Sequence, residues 1–310
     1  MNQEVKMKPT IDGGIRITYQ RIRAVKEAII LHKYPYIKKY YGRYIISFMG
    51  GNHPLISLIS NERSYLDLLN GWLEKLDSMP DVTHLIKKSK NPTEFFNIMS
   101  EFKVASFLID KVDKLKIILP EKPSPDFEIE IFGKTITIEV KRIEDKMETL
   151  KGNIKYDPSL RVYEIDDIST IYNSIEDSII KKKQYYPNIP HIIIFDYTPG
   201  VGEGEFEDVL YPKKDKPQLV HTINGKLLGH GYPLYDGLFY KNRGGNFIYS
   251  CLSGVAAIFE GDSISRDLKT KALIIKIPRI VFFRNPNEDL DIKEDILSSL
   301  GMKIYKIKEV

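Results

Sequence analysis

Apolar residues recur at steps of three and four in two stretches of the first 110 residues, which is the spacing of an amphipathic helix. The first stripe is Ile22, Val25, Ile29 and Ile30, and the second is Phe95, Ile98, Phe102, Ala105 and Ile109. Residues 15–90 show no clear alternation of polar and apolar positions and are predicted to be mostly helical, with a break at 50–54. A further helix is predicted from residue 91 to about residue 110. Asn91 can cap it, Pro92 suits its first turn, and Glu94 favours the positive end of its dipole.

The pattern changes to alternation after residue 110 and predicts strands at 114–119, 126–131 and 135–143. A second long helix is predicted at 167–186, followed by a buried strand at 191–195 and two strand-like runs at 254–259 and 272–283. Glycine, proline and polar residues dominate 199–250, which is predicted to be a long loop with little regular structure. The order predicts an α/β fold with a mixed sheet, because the first strands are linked by a hairpin and the next follows a helical crossover.

Composition narrows the class of protein. Apolar residues make up 42% and charged residues 28% of the 310 residues, which excludes disorder, collagen and coiled coil. No run of about 18 uncharged apolar residues is present, the first ten residues lack the apolar region of a secretory signal, and Cys251 is the single cysteine. We therefore expect a protein of the cytoplasm that has no membrane partner and no disulfide.

Positive charge is concentrated at the start of the chain. Residues 1–43 carry ten Lys or Arg and three Asp or Glu, a net charge of +7, while the whole chain has only +4. Five tyrosines are interleaved with these charges and a sixth, Tyr44, follows directly, so the segment could neutralise phosphates and stack on bases. The alternative is a solvated helix face whose tyrosines lie partly in the core. The candidate nucleic-acid-binding residues are Arg21, Arg23, Lys38 and Lys39.

The candidate catalytic residues lie on the predicted strands at 126–131 and 135–143. Thr137, Glu139 and Lys141 share one face of their strand because alternate residues point the same way. A two-residue loop at Gly133 and Lys134 would place Asp126 beside Lys141, with Glu139 diagonal to it. Two carboxylates that hold a hard divalent cation beside an ammonium suit phosphodiester hydrolysis. The alternative is a solvent-facing cross-strand salt bridge.

These residues resemble the motif of the PD-(D/E)XK nuclease superfamily, which has a restriction-endonuclease-like fold. Pro125 and Asp126 match its first half, and Glu139, Val140 and Lys141 match its second half after twelve intervening residues. The resemblance covers about residues 91–199 and implies an αβββαβ core. It also implies roles for three groups of residues: Mg²⁺ or Mn²⁺ ligands at Asp126, Glu139 and Glu101, a catalytic Lys141, and an accessory residue on the following helix at Lys181, Lys182 or Gln184.

The sequence thus predicts a metal-dependent nuclease that acts on nucleic acid, and DNA is the substrate we expect. A homodimer is the oligomeric state that we would test first. Residues 1–90 would form a basic, mostly helical region, and residues 91–310 the nuclease-like core. Two alternatives stay open. One is a non-catalytic nucleic-acid-binding protein that retains the fold, and the other is a helical interaction protein without a nucleic-acid role.

Overall fold

The computed structural model of the chain describes residues 32–47, 53–61, 63–119, 124–143, 171, 173–197, 203–211, 219–221, 227–230, 238–239, 249–259, 279–286 and 290–306. Two compact units make up the chain: Met1–Ser78 with Thr83–Phe102, and Met79–Val82 with Lys103–Val310. The division between residues 90 and 91 stays a prediction. The amphipathic stripe formed by Ile22, Val25, Ile29 and Ile30 lies outside the described residues.

Helices form the described part of the first unit, as the sequence predicted. Their bounds are Pro35–Ser47 (α1), Pro54–Asn61 (α2), Arg63–Leu76 (α3), Val82–Ser89 (α4) and Phe95–Leu108 (α5), the last of which continues into the second unit. Leu66, Leu69 and Leu73 of α3 recur at helical spacing and are fully buried. Asn70, on the same helix, accepts hydrogen bonds at Oδ1 from the backbone N–H groups of Tyr36 (3.0 Å) and Ile37 (3.4 Å). It thereby satisfies donors that the first turn of α1 leaves unpaired.

Helix α5 begins later than the sequence predicted. Asn91 Oδ1 accepts hydrogen bonds from the backbone N–H and the hydroxyl of Thr93, at 3.2 and 3.0 Å. The Asn91 side chain therefore caps a turn at residues 92–94, and the α-helix itself runs from Phe95 to Leu108. The apolar positions Phe95, Ile98 and Phe102 are all buried, which agrees with the predicted core-facing stripe.

A seven-stranded mixed sheet organises the second unit, and the predicted α/β class is confirmed. The strands are Lys114–Ile117 (β1), Phe127–Ile131 (β2), Lys134–Ile143 (β3), His191–Tyr197 (β4), Gly254–Phe259 (β7), Arg279–Arg284 (β8) and Met302–Ile304 (β9), and they lie in the order β1-β2-β3-β4-β7-β8-β9. Pairing is antiparallel from β1 to β3, parallel from β3 through β4 to β7, antiparallel between β7 and β8, and parallel between β8 and β9. Leu219–His221 (β5) and Leu227–His230 (β6) form a separate antiparallel pair.

The hairpin of β2 and β3 has a different register from the predicted one. Its two-residue turn is Phe132 and Gly133, and Ile131 pairs with Lys134. Both turn residues have positive φ, 50° and 71°, as a type I′ turn requires. The predicted turn at Gly133 and Lys134 was therefore wrong by one residue. The pairing was consequently wrong by two residues, because moving a turn by one residue shifts the partner of every strand position by two.

The helix before β4 ends earlier than predicted. Its last turn is a π-helix over Asp177–Lys181, and residues 182–190 run irregularly to β4, whereas the sequence predicted a helix to residue 186. The backbone N–H of Lys182 donates to Asp177 O at 2.8 Å, five residues back, and Lys183 adopts a left-handed φ of 50°. A left-handed residue ends a helix, so the predicted continuation to residue 186 was wrong.

The predicted loop at 199–250 contains regular structure. Helix α6 spans Glu203–Leu210, and β5 and β6 follow it. Phe206, Val209 and Leu210 of α6 are fully buried at helical spacing, and their burial stabilises a helix that the nearby glycines obscured in the sequence. The final helix, Glu294–Ser299 (α7), precedes β9.

One face of the sheet is covered by a large apolar cluster. Ile193 and Phe195 of β4 are buried there, and they share this face with Glu139 and Lys141 because β3 and β4 pair in parallel as Glu139 with Ile193 and Lys141 with Phe195. The covering residues come from the helical segment before β4 and from α6: Ile171, Ile175, Ile179 and Phe206. Across the ranges described, no helix is both long and apolar enough to cross a membrane.

Candidate active site

Asp126 lies directly before β2, where the pairing with β3 ends at Phe127 and Ile138. Its backbone N–H donates to Ile138 O at 3.0 Å, one residue out of register with the ladder. Its Oδ2 accepts a hydrogen bond from the backbone N–H of Val140 at 2.8 Å, which turns the carboxylate towards β3. Val140 follows Glu139 directly, so this hydrogen bond brings the Asp126 carboxylate close to Glu139, and the charge of Asp126 acts on Glu139. The predicted register had placed Asp126 beside Lys141.

Glu139 is the most deeply buried ionisable group of the hairpin, with only 2% of its surface exposed. Burial raises the pKa of Glu139 to about 8, and the charge of Asp126 acts in the same direction. Its Oε2 atom is buried and has no hydrogen-bond partner within the described part of the chain. A buried carboxylate oxygen without a partner costs free energy, so the site favours an additional donor or cation at this position.

Lys141 connects Glu139 to the segment that follows the π-helix. Its Nζ donates to Glu139 Oε1 at 2.6 Å and to Gln184 Oε1 at 3.2 Å. Gln184 was one of the accessory residues that the family resemblance implied, and the structure brings it to Lys141. The ammonium is thus fixed by two acceptors, one on its own strand and one on the turn above the strand.

Asp177 and Lys182 form an ion pair, close enough to Lys141 for electrostatic interaction, that the sequence did not predict. Lys182 Nζ lies 2.6 Å from Asp177 Oδ2. The hydrogen bond from Lys182 lowers the pKa of Asp177, and the charges of Lys181 and Lys141 also lower it. Residues five apart do not face each other on an α-helix, where neighbours are three or four apart. Only the π-helical turn brings Asp177 and Lys182 together, and the sequence pattern contains no signal for it.

Glu101 is buried on α5, in the part of that helix that belongs to the first unit. Glu94, the alternative helix glutamate, precedes the helix and is exposed, so Glu101 stays the candidate helix carboxylate. Among the residues that the structure describes, no three His, Cys, Asp or Glu side chains are grouped closely enough to hold a metal ion. The association of Glu101 with Asp126 and Glu139 therefore stays a prediction.

The candidate nucleic-acid-binding residues of the basic segment are only partly described. Arg21 and Arg23 lie outside the described residues. Lys38 is exposed on α1, whereas Lys39 Nζ lies 2.5 Å from Asp77 Oδ1. Lys39 is thus paired with a carboxylate of its own unit.

His191 lies beneath this site at the start of β4. It is fully buried, its Nδ1 lies 2.9 Å from Thr137 Oγ1, and its backbone N–H donates to Ser253 Oγ at 3.1 Å. Burial lowers the pKa of His191 to about 3, so the ring is neutral at physiological pH. Because its contacts are with Thr137 of β3 and with Ser253, His191 has a structural role.

The donor set at the end of the hairpin fits a hard divalent cation. Mg²⁺ is commonly held by one or two carboxylates and completes its coordination with water and substrate phosphates. Asp126, directly before β2, and Glu139, on β3, provide two carboxylates, and Glu139 Oε2 lacks any other partner among the described residues. Comparison with known proteins adds no name to this geometry, since no protein-family model, no curated protein and no solved structure matches the chain.

Proposed function

We propose that the protein is a metal-dependent nuclease that hydrolyses phosphodiester bonds of nucleic acid, with DNA as the first substrate to test. The observation that carries the proposal is the proximity of Asp126 to Glu139 and Lys141, which share one face of β3, with Glu139 Oε2 left without a partner in the described structure. The element order from α5 to β4 also supports the likeness to the PD-(D/E)XK fold. It consists of a helix, three strands, a helical segment and a strand that pairs in parallel.

Asp126 and Glu139 would hold the cation, Mg²⁺ or Mn²⁺, with Glu101 as the predicted third carboxylate. When bound, such a cation polarises the phosphoryl oxygens and offsets the negative charge that develops on them. The protein's own contribution is to fix one carboxylate on β3 and to hold the other against β3 through the backbone N–H of Val140, so that little reorganisation is needed when the substrate arrives.

Lys141 would act on the attacking water or on a phosphoryl oxygen. An ammonium has three N–H donors, and two of them are directed at Glu139 Oε1 and Gln184 Oε1. The third N–H donor of Lys141 remains to contact the attacking water or the phosphate. Gln184 is then a positioning residue, because it restrains Lys141 without itself reaching the reacting atoms.

The test is to incubate the protein with supercoiled, linear duplex and single-stranded DNA, each with Mg²⁺, with Mn²⁺ or with EDTA. We expect cleavage of at least one substrate with a divalent cation and none with EDTA. An Asp126→Ala variant should be inactive, and a Glu130→Ala variant, whose carboxylate pairs with Lys114 near the turn of the same hairpin, should retain activity. Cleavage by the Asp126→Ala variant at the wild-type rate would contradict the proposed site.

A non-catalytic nucleic-acid-binding protein is the second candidate. It is favoured by one observation: no third metal-ligating side chain joins Asp126 and Glu139 within the described residues. This candidate predicts binding of DNA without cleavage under every metal condition. The same incubation series, combined with a binding measurement, separates the two candidates.

A further inference from the structure

Three consecutive lysines follow the candidate site at the end of the π-helix. Lys181, Lys182 and Lys183 are all exposed, and the side chains of the first two are 60% and 55% accessible. Gln184, the next residue along the chain, contacts the ammonium of Lys141. The lysine run is therefore one residue away from the group that fixes the candidate catalytic lysine.

The backbone presents these lysines through a strained turn. The N–H of Lys182 donates to Asp177 O and the N–H of Gln184 donates to Ser178 O, both at 2.8 Å, while Lys183 between them has a φ of 50°. Glycine or asparagine usually occupies a left-handed position of this kind, because a side chain there is unfavourable. A lysine at such a position suggests that its side chain has a use beyond forming the turn.

The three lysines differ in their ion pairs. Lys182 is held by Asp177 at 2.6 Å, and Lys181 lies farther from its nearest carboxylates, 3.8 Å from Glu176 and 4.0 Å from Asp177. Lys183 forms no ion pair with any residue that the structure describes. The residues that the structure describes thus neutralise the positive charge of the run only in part, and Lys182 acts electrostatically on Glu139 of the candidate site.

We propose that Lys181, Lys182 and Lys183 form a binding site for the backbone phosphates of a nucleic-acid strand, next to the phosphate that is cleaved. The inference rests on the proposed function and names where its substrate is held. Lysine ammonium groups bind phosphates as mobile point charges and release condensed counterions. Asp177 holds Lys182 in place when no substrate is present, and an incoming phosphate replaces that carboxylate as the partner of Lys182.

The main test compares two variants that lose the same charge. The first combines Lys181→Gln, Lys182→Gln and Lys183→Gly, in which glycine suits the left-handed turn. The control combines Lys114→Gln, Lys134→Gln and Lys303→Gln, which are exposed lysines at the turn end of the hairpin and on the far edge strand of the sheet. Binding of labelled 20-mer DNA, single-stranded and duplex, is measured by fluorescence anisotropy in EDTA between 50 and 300 mM salt.

We expect the first variant to bind at least tenfold more weakly than wild type at 100 mM salt. Its plot of log affinity against log salt should also be shallower by about 1.5–2.5, since each lost free contact contributes roughly 0.7 for single strands and 0.9 for duplex and the paired Lys182 contributes less. The control should match wild type within about twofold in affinity, with an unchanged salt slope. A first variant with the slope and affinity of the control would overturn the inference.

Lys183 and Asp177 provide finer tests that do not depend on the triple variant folding. Lys183→Gly should weaken binding about three- to tenfold, and Lys183→Arg should restore it, because arginine keeps the charge in the same turn. Asp177→Asn should bind DNA more tightly than wild type, since it frees Lys182. If Lys183→Gly and Lys183→Arg both bind as wild type does, Lys183 is not part of a phosphate site. If Asp177→Asn binds no more tightly, the role given to Asp177 is wrong.

The outcomes also separate this inference from the proposed function. Cleavage by the wild-type protein together with unaltered binding by the lysine variants would remove the phosphate site and leave the nuclease proposal. Lysine-dependent binding without cleavage in any metal would remove the nuclease proposal and leave the phosphate site. Absence of any DNA binding by the wild-type protein would remove both.

Discussion

Asp126 and Glu139 lie close together because Asp126 accepts a hydrogen bond from the backbone N–H of Val140, the residue that follows Glu139 in β3. If the two carboxylates hold a cation together, one carboxylate alone should not support divalent-dependent cleavage. We expect Asp126→Ala and Glu139→Ala each to lower divalent-dependent cleavage at least a hundredfold, which is the typical effect of removing one group that stabilises a transition state. Circular dichroism and thermal unfolding would show that each variant is folded. Wild-type cleavage by either folded variant would contradict the assignment.

Lys141 makes a different prediction, since an ammonium cannot coordinate a cation. A Lys141→Ala variant should lose turnover much more than it loses affinity for Mn²⁺, which isothermal calorimetry measures directly. Gln184→Ala should have a smaller effect on turnover, because Lys141 would keep its 2.6 Å contact with Glu139. Loss of Mn²⁺ binding in the Lys141→Ala variant alone would show that Lys141 keeps the carboxylates in position for the metal ion and does not act in the reaction itself.

The raised pKa of Glu139 predicts a pH dependence of stability. Its pKa is about 8 in the fold against an ordinary value of 4.5, so the folded chain binds more protons than the unfolded chain between these values. The resulting stabilisation is complete below about pH 4.5 and is lost as pH rises through about 8. In EDTA, wild type should therefore lose about 2–4 kcal/mol relative to Glu139→Gln between pH 5 and pH 8.5. Urea unfolding of both proteins at several pH values measures this difference. Parallel pH curves would contradict the buried state assigned to Glu139.

At the scale of elements, the hairpin turn gives a prediction about stability alone. Phe132 has a φ of 50° and is 62% exposed, so its side chain contributes little burial while its backbone is unfavourable. Asn is preferred in such turns when glycine follows. Phe132→Asn should raise the free energy of unfolding by about 0.5–1 kcal/mol and leave activity unchanged. Phe132→Val, which is β-branched, should lower it, and chemical unfolding of the two variants against wild type checks both signs.

The same hairpin shows how far the sequence could predict the site. Alternation placed Glu139 and Lys141 on one face correctly, because that property depends only on the strand period. The register depended on the turn, and the pair Phe132 and Gly133 does not match the residues that usually mark a type I′ turn. Asp126 was consequently placed beside Lys141 instead of Glu139.

The π-helix shows where sequence patterns fail. Apolar residues at 168, 171, 175 and 179 predicted a regular helix, and periodicity contains no signal for the single wider turn that ends it. That turn nevertheless decides where Gln184 and the three lysines lie. The residues after the helix could therefore be identified as accessory candidates by resemblance, but their positions could not be derived from spacing.

At the scale of the whole molecule, the predicted class survived these local errors. The mixed sheet follows from the order of strands and helices, and that order was readable because buried strands such as β4 and β7 are short apolar runs between polar segments. Helix α6 was missed because glycines and prolines around it suggested a loop, whereas burial of Phe206 and Leu210 against the sheet stabilises it. The stability of α6 thus depends on tertiary packing, which a short stretch of sequence does not reveal.

The uneven distribution of charge gives the last prediction. Residues 1–43 carry +7 in a chain of +4, so the field that attracts phosphate is concentrated there. Lys39, however, is paired with Asp77, and a lysine already paired contributes less to phosphate binding than a free one. Neutralising Arg21, Arg23, Lys38 and Lys39 together should therefore reduce the salt slope for duplex DNA by about 2–3, below the value of about 3.6 for four free contacts. Lys39→Gln alone should change it by less than about 0.5. The effect should be equal for DNA of different sequence, because phosphate contacts carry no base information. A fourfold variant with the wild-type slope and affinity would leave Lys181, Lys182 and Lys183 as the remaining candidates for attracting the substrate.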